Sequence, residues 1–160
     1  MSNYNYNENK EFEETVVQIK RVSKKTKGGN TMRFTALVVV GDKKGRVGVA
    51  LSKSGDVRSV IKKSVELAKR NMFDVPILGT TLPCSVEEKY SAARVLLKPA
   101  PAGSGIIAGG PMRVVLEAAG VRDAVGKILG TNNQASNVYA TVAALKKIRK
   151  INDRKMLNKK

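Results

Sequence analysis

The chain contains no histidine and no tryptophan, and its 160 residues include one cysteine, Cys84. Without histidine, the sequence excludes Ser-His-Asp triads, histidine acid–base chemistry and zinc sites built from Cys and His. A single cysteine excludes an internal disulfide framework, and we expect Cys84 to be a small apolar strand residue in a reducing compartment. These absences argue against an enzyme.

Long apolar runs and aromatic side chains are also scarce. No run of about 18 apolar residues occurs, so no membrane-spanning helix is predicted. The acidic, Asn-rich start lacks the basic and apolar regions of a signal peptide. Aromatic residues make up 4% of the chain, and its strands lack the exposed aromatic pattern of single-strand RNA-binding sheets. We therefore expect recognition of nucleic acid through backbone and shape, with little base stacking.

Acidic residues are the third shortage, because 13 Asp and Glu stand against 30 Lys and Arg, for a net charge of +17. The excess lies in two blocks, residues 16–72 and 141–160, on either side of a nearly neutral centre. Charge of one sign on this scale favours a polyanionic partner. Nucleic acid is preferred over a membrane surface or mere solubility, and the missing helix-turn-helix and zinc-finger spacings favour structured RNA over DNA.

The first half of the chain is predicted to be a three-stranded antiparallel sheet covered by one helix, over residues 16–73. Residues 1–15 are polar and acidic, and are expected to be a flexible tail. Strands are predicted at 16–22, 32–40 and 46–51, joined by a basic loop at 23–30 and a hairpin turn at 41–45. A helix follows Asp56, the predicted N-cap, with Val60, Val65 and Ala68 on its apolar side.

The second half is predicted to be another sheet with helices, over residues 84–151. It follows a junction at 74–83 that contains prolines, a glycine and room for a short strand near 75–78. Strands are predicted at 84–90, 92–98 and 121–129, and helices at 111–120 and 136–151, before a basic tail at 152–160. The fold class is therefore α+β, with two small two-layer domains.

Basic residues in the first half gather around glycine-containing turns. The loop at 23–30 combines lysines with Gly28 and Gly29, so that cations and exposed amides can face phosphate together. A solvated surface is the alternative for the helix lysines, although Glu66 is the one acid within their face. The predicted RNA-binding residues of this unit are Arg21, Lys24, Lys25, Lys27, Gly28, Gly29, Arg33, Lys43, Lys44, Arg46, Lys62 and Lys69.

A second glycine cluster, Gly103, Gly105, Gly109 and Gly110, lies directly before the predicted helix at 111–120. A strand, a glycine turn and a helix are the components of a phosphate cradle. The spacing is one residue longer than the dinucleotide fingerprint, however, and Asp123 lies near the start of the next strand instead of its end. The glycines either serve a nucleotide site, or permit turning and close packing, or form a rigid contact surface, which we favour.

Two stretches carry a family resemblance. GGNTMRFTALVVVGDKKGRVGVALSK at 28–53 and VLLKPAPAGSGIIAGGPMRVVLEAAGVRDAVGKILGTNN at 95–133 closely resemble signature segments of the fifth-protein family of the bacterial small ribosomal subunit, and similarity extends over residues 16–148. The resemblance implies a domain similar to double-stranded-RNA-binding domains, followed by one of the GHMP-kinase-type fold that lacks the full kinase motifs. It implies a non-catalytic, ribosome-bound cytoplasmic protein that needs no cofactor and is not an obligate homo-oligomer.

The resemblance also implies partners and site residues. The partners are small-subunit rRNA, small-subunit proteins four and eight, and mRNA near the entry channel, where decoding accuracy is tuned. Val22, Ser23 and Lys24 match a loop near the spectinomycin site, and Lys53 matches an RNA-contacting lysine. Gly105 and Arg113 match the region that meets protein four. The predicted protein interface is therefore Gly103, Gly105, Gly109, Gly110 and Arg113.

The chain departs from the family pattern at several positions. Ala50, Leu51 and Ser52 stand where a glycine-aromatic-glycine sequence is usual, and Arg58 replaces a proline. Gln134 and Tyr139 stand where the family usually has proline and arginine, so one expected cation is missing.

Two other functions remain open from the sequence: a free-standing RNA chaperone, and a small phosphotransferase that uses the glycine loop.

Overall fold

The computed structural model describes residues 11–157, which form two α+β domains. The first has an antiparallel sheet of β1 (Glu13–Thr26), β2 (Gly29–Gly41), β3 (Arg46–Ser54) and β4 (Phe73–Asp74), in that order. Helix α1 (Val57–Arg70) connects β3 to β4. Asp56 accepts hydrogen bonds from the amides of Arg58 and Ser59, which confirms the predicted N-cap. The short β4 lies just before the strand suggested at 75–78.

The second domain has a mixed sheet in the order β5-β6-β8-β7. Its strands are β5 (Val86–Tyr90), β6 (Ala93–Pro99), β7 (Ile106–Ile107) and β8 (Ala124–Gly130), and only β7 pairs in parallel, with β8. Helices α2 (Gly110–Ala119) and α3 (Gln134–Leu157) pack on this sheet. The sequence missed β7, and the tail predicted from residue 152 is helical as far as Leu157.

Strand β1 is longer at both ends than predicted. It begins at Glu13, inside the segment expected to be flexible, and continues through residues 23–26, which were expected to be loop. Its register runs from Glu13 opposite Gly41 to Thr26 opposite Gly29, so the turn is only Lys27 and Gly28. Because residues 23–26 contain no apolar side chain, hydrophobic alternation could not reveal a strand held by its main-chain pairing. Residues 1–10 of the predicted tail lie outside the described part.

Strand β2 is buried on both faces, because the first sheet is covered on both sides. Its helix face, formed by Ala36, Val38 and Val40, packs on α1. Its opposite face, here called the core face, contributes Leu37 and Val39 to a larger cluster that includes α2 and α3. The two-layer prediction is therefore incomplete, since the first sheet is the middle layer between α1 and the second domain.

The β2–β3 turn docks against the C-terminal end of α2. The Lys43 amide donates to the Ala118 carbonyl at 3.1 Å, and the Gly45 amide donates to the Ala119 carbonyl at 2.9 Å. These bonds satisfy carbonyls that the helix end leaves without partners. Gly120, with φ +88°, ends the helix, and a Cβ placed there would lie 2.2 Å from the Lys43 carbonyl oxygen. The close contact between the β2–β3 turn and the end of α2 therefore requires glycine at residue 120.

A buried pair of serines links β3 to α1. The hydroxyl oxygens of Ser52 and Ser64 lie 2.5 Å apart, and each also lies within hydrogen-bond distance of a main-chain carbonyl, Ser52 of Val60 at 3.0 Å and Ser64 of Ala36 at 3.1 Å. Because each hydroxyl carries one proton, the pair donates two hydrogen bonds among these three contacts at a time. Ser64 is fully buried and Ser52 nearly so. The buried Ser52 hydroxyl is accommodated because Ser64 and the Val60 carbonyl supply its partners.

We predict that Ser64→Ala lowers the free energy of unfolding by about 1–2 kcal/mol, because the Ala36 carbonyl and the Ser52 hydroxyl both lose a buried partner. The Ser52→Ala/Ser64→Ala double variant should cost less than the sum of the two single variants. Urea denaturation of the four proteins measures this coupling. Strict additivity of the two costs would show that the hydroxyls do not interact.

Candidate nucleic-acid interface

A two-stranded arm projects from the first sheet. Strand β3 ends at Ser54, opposite Phe34, so the pairs from Val22–Arg33 to Thr26–Gly29 have no third strand beside them. These five pairs extend about 15 Å at ~3.4 Å per residue. The basic arm, defined as residues 20–33, is solvent-exposed except at Val22 and contains no acidic residue.

Cations occupy both faces and the tip of the basic arm. Alternation along the paired strands places Lys20, Lys24 and Arg33 on the core face, and Arg21 and Lys25 on the helix face. Lys27 lies in the turn. Within the described residues none of these six forms an ion pair, and all are exposed. The structure thus brings together the predicted residues Arg21, Val22, Ser23, Lys24, Lys25, Lys27, Gly28, Gly29 and Arg33.

Lys53 and Lys62 extend this surface at the foot of the basic arm. Lys53 is exposed and aligns across Thr35 with Lys20, in one row of the core face. Lys62 is an exposed residue of α1, whose first turn follows directly after the end of β3. These two predicted residues therefore lie at the same end of the sheet as the arm.

Lys43, Lys44 and Arg46 lie at the opposite end of the first sheet. Successive turns of an antiparallel meander alternate between the two ends, and the thirteen residues of β2 separate them by about 40 Å. The two basic turns, which belong to neighbouring hairpins, therefore lie at opposite ends of the sheet. A single RNA contact reaching both turns would have to span the length of the sheet.

The acidic start of β1 neutralises cations at this far end. Lys43 Nζ lies 2.7 Å from a Glu13 carboxylate oxygen, and Lys69 Nζ lies 3.0 Å from one of Glu14. The Phe12 ring packs against the α1 side of the sheet, with Lys69 Nζ 5.8 Å from its centroid. Residues 12–14 therefore hold an ordered position, which the composition alone did not indicate.

Asp42 organises the β2–β3 turn itself. Its carboxylate accepts hydrogen bonds from the amides of Lys44 and Arg46 and from Arg46 Nε, at 2.8, 2.9 and 2.8 Å. Partial burial works against the charged form, but these hydrogen bonds outweigh it and lower the pKa of Asp42. Both the amide and the side chain of Arg46 are thus hydrogen-bonded within the turn. An RNA-binding role for Lys43, Lys44, Arg46 and Lys69 stays a prediction.

The glycine loop already holds an anion, the carboxylate of Asp123. This side chain is 4% exposed and accepts a hydrogen bond from the Gly105 amide at 2.9 Å. A hydrogen bond with the Thr80 side chain, then bonds from the amides of Gly105, Gly103 and Ser104, lower the pKa of Asp123. The Gly105 amide, one of those that could cradle a phosphate, is therefore engaged by the protein's own carboxylate.

The predicted protein-interface residues surround this loop. Gly103 and Gly105 have φ of +87° and +70°, and a Cβ on Gly103, Gly105 or Gly110 would meet open space. At Gly109 it would approach Ile128 Cδ1 at 2.7 Å. Arg113 donates from Nη2 to the Ile106 carbonyl at 2.8 Å, which fastens α2 to the loop. Hydrogen bonds with the Asp123 and Arg113 side chains hold the loop in position. Its use as a contact surface stays a prediction.

We predict that Asp123→Asn lowers the melting temperature at neutral pH, because the amide NH2 would face main-chain donors. Because the pKa of Asp123 is lower in the folded protein than in the unfolded chain, its ionised carboxylate stabilises the fold at every pH above the pKa of the unfolded chain. This stabilisation is lost as the pH falls through the pKa of the folded protein. The stability gap between wild type and variant should therefore stay constant from pH 7 to about pH 5 and shrink below about pH 4. Thermal unfolding across this range measures it, and a gap independent of pH down to acid conditions would contradict the assignment.

Two tyrosines meet where the domains join, a feature that the sequence did not indicate. The rings of Tyr90, at the end of β5, and Tyr139, on α3, have centroids 5.5 Å apart. Burial and then the nearby Tyr90 raise the pKa of Tyr139, while a hydrogen bond with the main chain of Leu51 acts in the opposite direction. Forty-nine positions separate the two tyrosines in the chain, and only the packing of α3 on β5 brings them together.

Within residues 11–157, no cluster of three or more Cys, Asp or Glu residues is suited to hold a metal ion. None of the helices in that range has the length and apolar character needed to cross a membrane.

Comparison with known proteins gives two matches along the chain. The family described as ribosomal protein S5, N-terminal domain, matches residues 12–76, and that described as ribosomal protein S5, C-terminal domain, matches residues 88–158. The chain is 51% identical over 143 residues to small ribosomal subunit protein uS5c of Spinacia oleracea, covering 89% of the chain and 46% of the relative. The chain thus spans about half the length of this relative.

Proposed function

Because this chain belongs to the ribosomal protein S5 family, we propose that it is a structural RNA-binding protein of the small ribosomal subunit. The observation that carries the proposal is the basic arm, a narrow exposed ribbon with six cations, no acid and no ion pair to another described residue. A ribbon of this width can enter a groove or lie between phosphate backbones, where cations on both faces find partners. The role needs no catalytic group.

The finer assignments are also proposals. The first domain acts as a double-stranded-RNA-binding-like module, and the second, of the GHMP-kinase-type fold, serves as a contact platform. Through them the protein binds small-subunit rRNA, contributes to subunit assembly, and neighbours small-subunit proteins four and eight and the mRNA entry path, where it influences accuracy. The exposed residues of the glycine loop, held from within by Asp123, support a protein-contact role. The protein works ribosome-bound, in the cytoplasm or an organelle.

Sedimentation of cell lysate tests the proposal. We expect the full-length protein to migrate with small subunits through a sucrose gradient at physiological salt, and to leave them at high salt because its contacts are electrostatic. A predominantly free pool at physiological salt would favour the RNA chaperone instead. Calorimetry with ATP and magnesium should give no saturable heat, since the Gly105 amide already donates to the protein's own carboxylate at Asp123. Saturable micromolar binding would revive the phosphotransferase.

A further inference from the structure

The core face of the first sheet changes character along β3. Val47 and Val49 are buried in the cluster shared with the second domain, whereas Leu51, two residues on, is 44% exposed and Lys53 is exposed. The cover provided by the second domain therefore ends at Leu51. Beyond that point the same face continues as a row of Lys53 and Lys20 and then onto the basic arm.

Tyr90 and Tyr139 stand at this edge. Tyr139 packs against the shared core and interacts through its hydroxyl with the main chain of Leu51. Tyr90 lies against the Tyr139 ring and is 46% exposed. Leu51, Tyr90 and Tyr139, here called the tyrosine patch, therefore form an apolar surface at the foot of the basic arm. The Cα atoms of Leu51 and Lys53 are about 7 Å apart along the strand.

We propose that the tyrosine patch is a stacking site for one unpaired base of the RNA that the basic arm holds. The inference rests on the proposed function and specifies the structure of its RNA, a helix interrupted by a bulged or looped nucleotide. Tyr90 offers an exposed ring whose position is fixed by Tyr139, and any base can stack on such a surface. Lys53 and Lys20 lie beside it to bind the flanking phosphates.

Charge and position favour a nucleotide over a protein side chain as the occupant. Toward the first sheet, the exposed surface leading away from the patch is the cationic row and the basic arm, which contains no acidic residue, while Glu88 on β5 is already paired with Lys147. A protein partner would have to leave those cations unpaired or bring a large acidic surface. An RNA strand lying along the row supplies phosphates at the lysines and a base at the ring, so one ligand satisfies both features.

The test uses the full-length protein and a short RNA hairpin with a single bulged 2-aminopurine, together with the same hairpin without the bulge. We expect wild-type protein to quench the 2-aminopurine fluorescence and to bind the bulged hairpin more tightly than the perfect one. Tyr90→Ala should abolish the quenching and weaken binding of the bulged hairpin by about fivefold or more, which is the low end for one base stacked on an aromatic ring. Its affinity for the perfect hairpin should not change.

Two controls separate stacking from other effects. Tyr90→Phe keeps the ring and should behave as wild type, whereas Ile107→Ala removes a similarly exposed apolar side chain at the opposite edge of the second sheet and should change neither affinity. Equal loss for both hairpins in Tyr90→Ala, or wild-type quenching in that variant, would overturn the stacking site. Wild-type protein that binds neither hairpin would instead overturn the proposed function.

Discussion

Replacement of Lys24, Lys25 and Lys27 together with glutamine should weaken binding to structured rRNA by roughly ten- to hundredfold. Each exposed charge contact contributes about 0.5–1 kcal/mol, and the three lysines form no ion pair with another described residue. The loss should be similar for different structured RNAs, because phosphate contacts carry little sequence information. A filter-binding or anisotropy titration at fixed salt measures it.

The matched control replaces the same three lysines with arginine. This variant keeps the charge and the exposed ribbon, so its affinity should stay within about threefold of wild type. Both variants should melt at the same temperature as the wild-type protein, because these side chains are solvent-exposed and lie beyond the end of β3. Equal loss of affinity in the arginine and glutamine variants would mean that the lysines shape the arm and do not contribute charge.

Gly120→Ala should lower the free energy of unfolding by about 2–4 kcal/mol. The left-handed φ costs a residue with Cβ roughly 1 kcal/mol, and overpacking against a main-chain carbonyl adds about 1–3 kcal/mol. Neither the helix end nor the β2–β3 turn can move freely, because the amides of Lys43 and Gly45 bond to the last turn of α2. Chemical denaturation measures the loss.

Gly103→Ala is the control for backbone strain alone. Gly103 has φ +87°, nearly the same as Gly120, but an added Cβ would meet nothing within 4 Å. It should therefore cost only about 1 kcal/mol. If the two variants proved equally stable, the close approach of the β2–β3 turn to α2 would not contribute to the docking of the two domains.

Local chemistry predicted the elements with strong signals. Three features have local causes in the sequence: the apolar run of β2, the N-cap at Asp56, and the limits of α2 between Pro111 and Gly120. The structure places each of them close to its predicted bounds. The apolar run predicted the strand but not its burial on both faces, because its second cover, the other domain, depends on contacts distant in the chain. The basic cluster around Lys24 was equally visible because it is continuous in sequence.

The features that the sequence did not predict depend on contacts between residues far apart in the chain, which no local sequence pattern contains. Strand residues 23–26 are polar and are held by their register with β2, so periodicity predicted a loop. The ion pair of Glu13 with Lys43 joins residues far apart in sequence and gives a lysine that was predicted to contact RNA an acidic partner within the protein. Asp123 was considered only for its position relative to a dinucleotide fingerprint, whereas its carboxylate accepts a hydrogen bond from the glycine loop at Gly105. In each case the deciding interaction is long-range.

In the proposed function, the lysines of the basic arm hold the RNA, and the net charge of the protein alone does not. The most direct test is the slope of log affinity against log salt for wild type, for the Lys24/Lys25/Lys27→Gln variant, and for an equal-charge variant with Lys89, Lys98 and Lys127→Gln, which are exposed residues of the second domain. The arm variant should be shallower by about 0.9 per lysine on duplex RNA, and the equal-charge variant should match wild type. Equal flattening in both variants would contradict the claim.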